Sequence, residues 1–170
     1  MSRPRKILIA DDSVVVREAL RMMLEPEGYL IIFAEDGQKA VELAASEKPD
    51  LVIADGLMPR LHGFLACKAI KELEDAPRVV LLTGVYTKPT YRWEVKNNYG
   101  ADDLLCKPVN RAELIACVDQ QLAGLPPRED KIAFADLAEA IELNQPMAPV
   151  GLVFPETNAQ IAPATVDSRS

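Results

Sequence analysis

The sequence predicts an α/β fold: a five-stranded, doubly wound parallel sheet with helices on both faces, followed by a short helical or extended tail. Two observations carry this expectation. Five short apolar runs alternate with five segments whose apolar residues recur at helical spacing. Past a charged first residue in three of them, the runs are apolar rather than alternating with polar residues, the pattern of strands buried on both faces. Composition agrees, since 49% of the 170 residues are hydrophobic and 26% are charged, enough for a packed core.

The elements follow in order. Lys6 to Ala10 (KILIA) reads as the first strand, and Val14 to Leu24 carries helical spacing. Gly28 is a plausible helix stop before a second strand over Tyr29 to Ala34. Gly37 to Ser46 is helical, Pro49 breaks it, and Asp50 to Ala54 (DLVIA) forms the third strand. Leu65 to Leu73 is the third helix, and Val79 to Leu82 the fourth strand. A helix falls between Pro89 and Asn98, then a short strand at Asp103 to Cys106, then a helix over Arg111 to Leu122. Crossovers between parallel strands are right-handed, and ligands bind beyond the carboxyl ends of the strands, where strand order reverses.

Residues 1–124 make one domain on this reading, and residues 125–170 an appendage of different character. Leu125-Pro126-Pro127 signals a linker. Arg128 to Leu143 has the spacing of an acidic amphipathic helix with Ile132, Ala135, Ala138 and Ile141 near one face, and the remainder is rich in Pro, Ala and small polar residues around Gly151 to Phe154 (GLVF). This helix either docks on the domain or on a second copy, or the tail is a tether that binds a partner. From Arg128 onward there are three basic residues against seven acidic ones, a net of −4 within a chain of net −7. Recognition of nucleic acid through phosphates calls for a basic face, so output through DNA is not expected. The longest apolar stretches are strand-sized and no secretory leader is evident, so a cytoplasmic protein without membrane insertion is expected. Cys67, Cys106 and Cys117 are far apart and unpaired with His62 in any zinc-like spacing; all three read as reduced, partly buried small hydrophobes.

The strand ends carry the chemistry. Asp11 and Asp12 follow strand one, Asp55 strand three, Thr83 strand four and Lys107 strand five. A single Asp in such a place is commonly a cap or turn residue. Five polar groups converging from four strands are not explained that way. Three clustered carboxylates repel unless a cation neutralises them, and oxygen-only ligands suit a hard ion such as Mg²⁺. Lys107 adds a mobile positive charge and Thr83 a hydroxyl donor. Gly56 and Gly84 would leave backbone N–H groups open to a tetrahedral anion. A carboxylate can accept a phosphoryl group as an acyl phosphate, with positioning and charge neutralisation supplying the catalysis.

The segments ILIADDS (Ile7 to Ser13), DLVIADGLMP (Asp50 to Pro59), LLTG (Leu81 to Gly84) and GADDLLCKP (Gly100 to Pro108) resemble the receiver domain of two-component response regulators, over about residues 5–123. The resemblance implies the flavodoxin-like receiver fold, with Asp55 as phosphoacceptor. It implies Mg²⁺ held by Asp12, by Asp11 through a water, by Asp55 and by the backbone carbonyl of Leu57. Thr83 and Lys107 would take the phosphoryl oxygens, and the Lys107–Pro108 peptide would be cis. The implied partner is a sensor histidine kinase or histidine phosphotransfer protein, and the implied activity is limited to the chain's own phosphorylation and dephosphorylation.

The chain departs from the family at three places. Leu104 stands where an aromatic commonly turns inward on activation. The stretch from Thr83 to Gly100 is about two residues long for the family, and it gathers Tyr86, Tyr91, Trp93 and Tyr99, all the Tyr and Trp apart from Tyr29. Either Trp93 and Tyr99 pack the fourth helix on the sheet, or Tyr86, Tyr91 or Trp93 forms part of a partner face, and Tyr86 could replace the missing aromatic. Leu57 and Val85, two residues beyond Asp55 and Thr83, are apolar and cannot hold an attacking water, which predicts a long-lived acyl phosphate. His62 reads as a solvated loop residue. Together these features point to a response regulator with output through protein contact, a possible homodimer among its assemblies. A phosphorelay intermediate or phosphate sink is the alternative. An aspartate-nucleophile phosphatase fits less well, because Leu57 occupies the place of its second acid and no cap-sized insertion is present.

Overall fold

The structure, a computed structural model, describes residues 3–85 and 89–126. Tyr86 and the expected tail elements, the helix over 128–143 and the GLVF segment, lie outside the described residues.

Strands β1 (Lys6–Ala10), β2 (Leu30–Ala34), β3 (Leu51–Asp55), β4 (Arg78–Thr83) and β5 (Asp103–Cys106) form one parallel sheet in the order β2-β1-β3-β4-β5. Helices α1 (Val14–Leu24), α2 (Gly37–Glu47), α3 (Gly63–Lys71), α4 (Pro89–Tyr99) and α5 (Arg111–Leu122) make the crossovers. Alternate strand residues divide between two cores. Leu8, Val52, Val79 and Leu81 pack with Ala40, Cys67, Ile70 and Val95 of α2, α3 and α4. On the other face Ile7, Ile9, Leu51, Ile53, Val80 and Leu82 pack with Leu20 and Leu24 of α1 and Leu114 and Val118 of α5. Side chains that are wholly buried on both faces explain why the strands read as unbroken apolar runs.

The helix starts are chemically marked. The Ser13 hydroxyl accepts from Val16 N–H, and Asp36 accepts from Lys39 N–H at 2.8 Å. Asn110 and Glu113 form a reciprocal capping box at α5. Pro89 begins α4, a position where its missing N–H costs nothing. Strands β3 and β4 run one residue further than expected, so Asp55 and Thr83 are the last residues of their strands. Helix α3 begins two residues earlier than its apolar spacing suggested, at Gly63, and a short 3-10 turn over Glu25–Glu27, not foreseen, links α1 to Gly28. No helix among the described residues is long and apolar enough to cross a membrane.

Polar clasps close the sheet end remote from Asp55. Asp50 pairs with Arg5 at 3.0 Å and accepts from Lys6 N–H. Asp102 takes Lys71 at 2.9 Å, Arg78 at 2.7 Å and Val79 N–H. Burial pushes the Asp102 carboxyl up, but these donors outweigh it and hold it below the usual carboxylate range. The cysteines divide: Cys67 and Cys117 are buried, with burial pushing both thiols up to about 12. Cys106 is exposed, a correction to the expectation of three partly buried residues, because it points outward from the last position of β5.

Candidate functional site

Strand order reverses between β1 and β3, and the site lies at their carboxyl ends, as the topology requires. Ala10 pairs with Ala54, which sets Asp11 beside Asp55, and Thr83 pairs with Cys106, one residue before Lys107. Lys107 N–H donates to the Thr83 carbonyl at 2.8 Å.

Asp11, Asp12 and Asp55 each offer a carboxylate oxygen within 4.8 Å of the others. Asp11 is 1% exposed, Asp55 partly buried and Asp12 open to solvent. The Lys107 ammonium lies 2.7 Å from Asp11 and 3.4 Å from Asp55. Burial, and Asp11 with it, pushes the Asp55 carboxyl up, while Lys107 and the Leu57 N–H pull it down without cancelling the rise. For Lys107 burial acts downward, but the hydrogen bond and charge of Asp11, with Asp55 behind them, leave the ammonium favoured. One ammonium facing three carboxylates leaves the cluster short of positive charge. All-oxygen ligands with this deficit fit a hard divalent ion.

The surrounding backbone is tight. Ser13 N–H donates to Asp11 at 2.9 Å, and the Arg17 guanidinium donates to the Asp11 carbonyl while lying over the Phe33 ring. A Cβ on Gly63 would stand 1.7 Å from the Asp55 carbonyl oxygen, so only glycine lets α3 begin against the strand end. The Thr83 hydroxyl is buried at the end of β4 and accepts from Val85 N–H at 3.2 Å.

Comparison with known proteins decides the family. Residues 7–119 match the family model of the response regulator receiver domain. The chain belongs to the response regulator receiver family. This receiver is 39% identical over 141 residues to response regulator MprA of Mycolicibacterium vanbaalenii, a match covering 79% of the chain and 60% of that relative. It thus spans about 60% of the length of the curated relatives it matches. Among solved structures it is similar to chemotaxis response regulator CheY4 of Vibrio cholerae, with TM-score 0.65, 29% identity, and coverage of 70% of this chain and 99% of that one. The response regulator domain of Thermotoga maritima CheB is also similar, with TM-score 0.65, 27% identity, and coverage of 73% and 100%. A receiver of this family is phosphorylatable, and its fold is the flavodoxin-like one expected.

The receiver brings Asp11, Asp12, Asp55, Thr83 and Lys107 to one sheet edge, and the Lys107–Pro108 peptide is cis. Gly56 departs from expectation: its N–H donates to the Leu82 carbonyl at 2.8 Å and is not open to an anion. The same glycine also backs against Phe64, whose ring would lie 2.9 Å from an added Cβ. Gly84 is exposed, with open space at its Cα. Leu104 is buried in the core beneath α4, and the Arg92 guanidinium donates to its carbonyl at 2.9 Å. The aromatic stretch divides: Tyr99 packs on Phe64 with ring centres 5.3 Å apart, whereas Trp93 is 67% exposed. His62 is exposed just before α3, as expected. Residues not foreseen as part of the site are Arg17, one helical turn beyond Ser13, and Gly63, for which a glycine at a helix start was the available signal.

Proposed function

We propose that this receiver accepts a phosphoryl group on Asp55 from a phosphohistidine of a sensor kinase or phosphotransfer protein. The observation that carries the reading is the convergence of three carboxylates within 4.8 Å with one ammonium across them. An ionised Asp55 oxygen attacks phosphorus as the phosphorus–nitrogen bond breaks, and the histidine leaves as a neutral imidazole once protonated. Burial opposes ionisation of Asp55, and the Lys107 charge and the Leu57 N–H favour it. Lys107, now shared with Asp11, swings to the incoming phosphoryl oxygens, and the Thr83 hydroxyl donates to another. Asp11, Asp12, Asp55 and the Leu57 carbonyl would hold Mg²⁺, which would supply the charge neutralisation that one lysine does not provide.

The chemistry is confined to the chain's own phosphorylation and dephosphorylation, in the cytoplasm. Output passes through a phosphorylation-controlled contact with another protein. That view rests on the acidic composition, and the comparisons add no support for excluding nucleic acid, since the matched relatives extend well beyond the shared part. Relay to a second histidine is the other use of the same acyl phosphate.

Intact mass after incubation with Mg²⁺ and a small phosphodonor tests the central reading. One phosphate adduct that requires Mg²⁺ and is absent from Asp55→Ala is expected. An adduct that persists in Asp55→Ala, or none on the folded wild-type chain, would overturn it. Phosphorylation-dependent retention of DNA would redirect the output.

A further inference from the structure

We infer that Arg60 is a positioning residue for the acidic site, a clamp that holds the β3–α3 loop so that Leu57 faces Asp55 and the cation. This rests on the proposed metal-assisted phosphoryl transfer and adds a residue to it.

The loop runs from Gly56 to His62, and its middle is conformationally costly. Arg60 has φ +64, a region that non-glycine residues seldom occupy. Leu61 N–H donates across it to the Pro59 carbonyl at 2.7 Å, the hydrogen bond of a positive-φ γ-turn, which is rare and strained. Such a backbone persists where its surroundings over-determine it.

What surrounds it is the start of α2. Asp36 is 1% exposed, and one of its carboxylate oxygens caps α2 through Lys39 N–H. The other oxygen, Oδ2, is buried without a hydrogen bond and meets the Arg60 guanidinium as its ion partner. Glu35 takes the same guanidinium from the solvent side at 3.2 Å. An exposed pair would contribute little, but a carboxylate this deeply buried is weakly screened and needs its cation. The backbone is seated too: a Cβ on Gly37 would stand 2.0 Å from the Leu61 carbonyl oxygen, so the loop rests directly on the first residue of α2.

The other end of the loop is fastened beside the site. Gly63 N–H donates to the Gly56 carbonyl at 3.0 Å, and Gly63 has no room for a side chain against Asp55. The segment between carries Leu57, whose N–H reaches the Asp55 carboxylate. With both ends fastened, the orientation of the Leu57 peptide is set before any ligand arrives, and that orientation is what a loosened loop would lose.

The test compares the full chain with Arg60→Ala, Arg60→Gly and Arg60→Lys, using calorimetric titration with Mg²⁺ and amide hydrogen exchange without metal. Arg60→Gly accepts the positive φ without strain, which separates loss of the guanidinium from backbone misfit. Expected are a roughly tenfold weaker Mg²⁺ affinity in both Ala and Gly variants, faster exchange at Leu57 and Leu61, and partial rescue by Lys. Wild-type affinity and exchange in Arg60→Ala and Arg60→Gly would overturn the clamp. A wild-type chain that binds no Mg²⁺ would instead overturn the metal reading beneath it, a separate result in the same titration.

Discussion

Replacing Asp55 by Asn removes the proposed acceptor and should also stabilise the metal-free fold. The carboxylate oxygens lie within 4.8 Å of one another, so each like-charge pair costs about 3.5 kcal/mol at an effective dielectric near 20. Asp55 takes part in two such pairs, while the Lys107 ammonium at 3.4 Å offsets about 5 kcal/mol on the same scale. A net penalty of roughly 1–2 kcal/mol remains for the ionised Asp55 once solvent weakens the pair with exposed Asp12. Because burial and Asp11 raise this carboxyl above its ordinary value, the folded state binds its proton more tightly than the unfolded chain does. The penalty is therefore absent below the unfolded carboxylate value of about 3.9 and complete once pH passes the raised folded value. Urea denaturation of both chains by far-UV circular dichroism, at several pH values, measures the difference. Asp55→Asn should be the more stable chain at neutral pH, with the gap closing in acid and narrowing when Mg²⁺ is added. A variant equal to or weaker than wild type at neutral pH, or a gap independent of pH, would refute the electrostatic account.

Other substitutions probe the site from different sides. Lys107→Ala leaves buried Asp11 without the ammonium now 2.7 Å away; a loss of roughly 2 kcal/mol in urea unfolding is expected, less than for a fully buried pair because Lys107 is partly exposed. Gly63→Ala drives a methyl into the Asp55 carbonyl at 1.7 Å and should cost about 3 kcal/mol, with slower phosphorylation because the acceptor's own backbone must shift. Leu57→Asn places a polar group at a rim position that is 47% exposed, and the acyl phosphate should lose its phosphate roughly tenfold faster as water becomes better oriented. Release of inorganic phosphate from the purified adduct measures that rate, and an unchanged lifetime would remove the apolar rim as its cause.

The fold was legible because its signals are local. β1, α1, β5 and α5 begin and end where apolar spacing placed them, and the Ser13 and Asn110 caps that mark the two helix starts emerged only with the structure. Helix α3 was misplaced by two residues because Gly63 has poor helix propensity and is required there by contact with Asp55, a neighbour in space that no periodicity displays. The N–H of Gly56 looked free in sequence for a related reason: whether it bonds Leu82 depends on how far the β3–β4 ladder extends. The convergence of Asp11, Asp55, Thr83 and Lys107 followed from their places just beyond the carboxyl ends of parallel strands. By contrast, the Arg60–Asp36 pair spans 24 residues and joins two loops, and nothing in either segment alone announces it.

The solvent-facing indole of Trp93 has a practical consequence. It is the single tryptophan of the chain and stands on the outer side of α4, away from both cores. Its emission in the folded protein should already be that of a hydrated ring, so unfolding will shift the spectrum little and fluorescence will be a poor gauge of global stability. The same placement makes it a selective optical reporter of one surface. A blue shift on adding a phosphodonor, a candidate partner or a second equivalent of the chain would register that the α4 face has been covered, without any label attached.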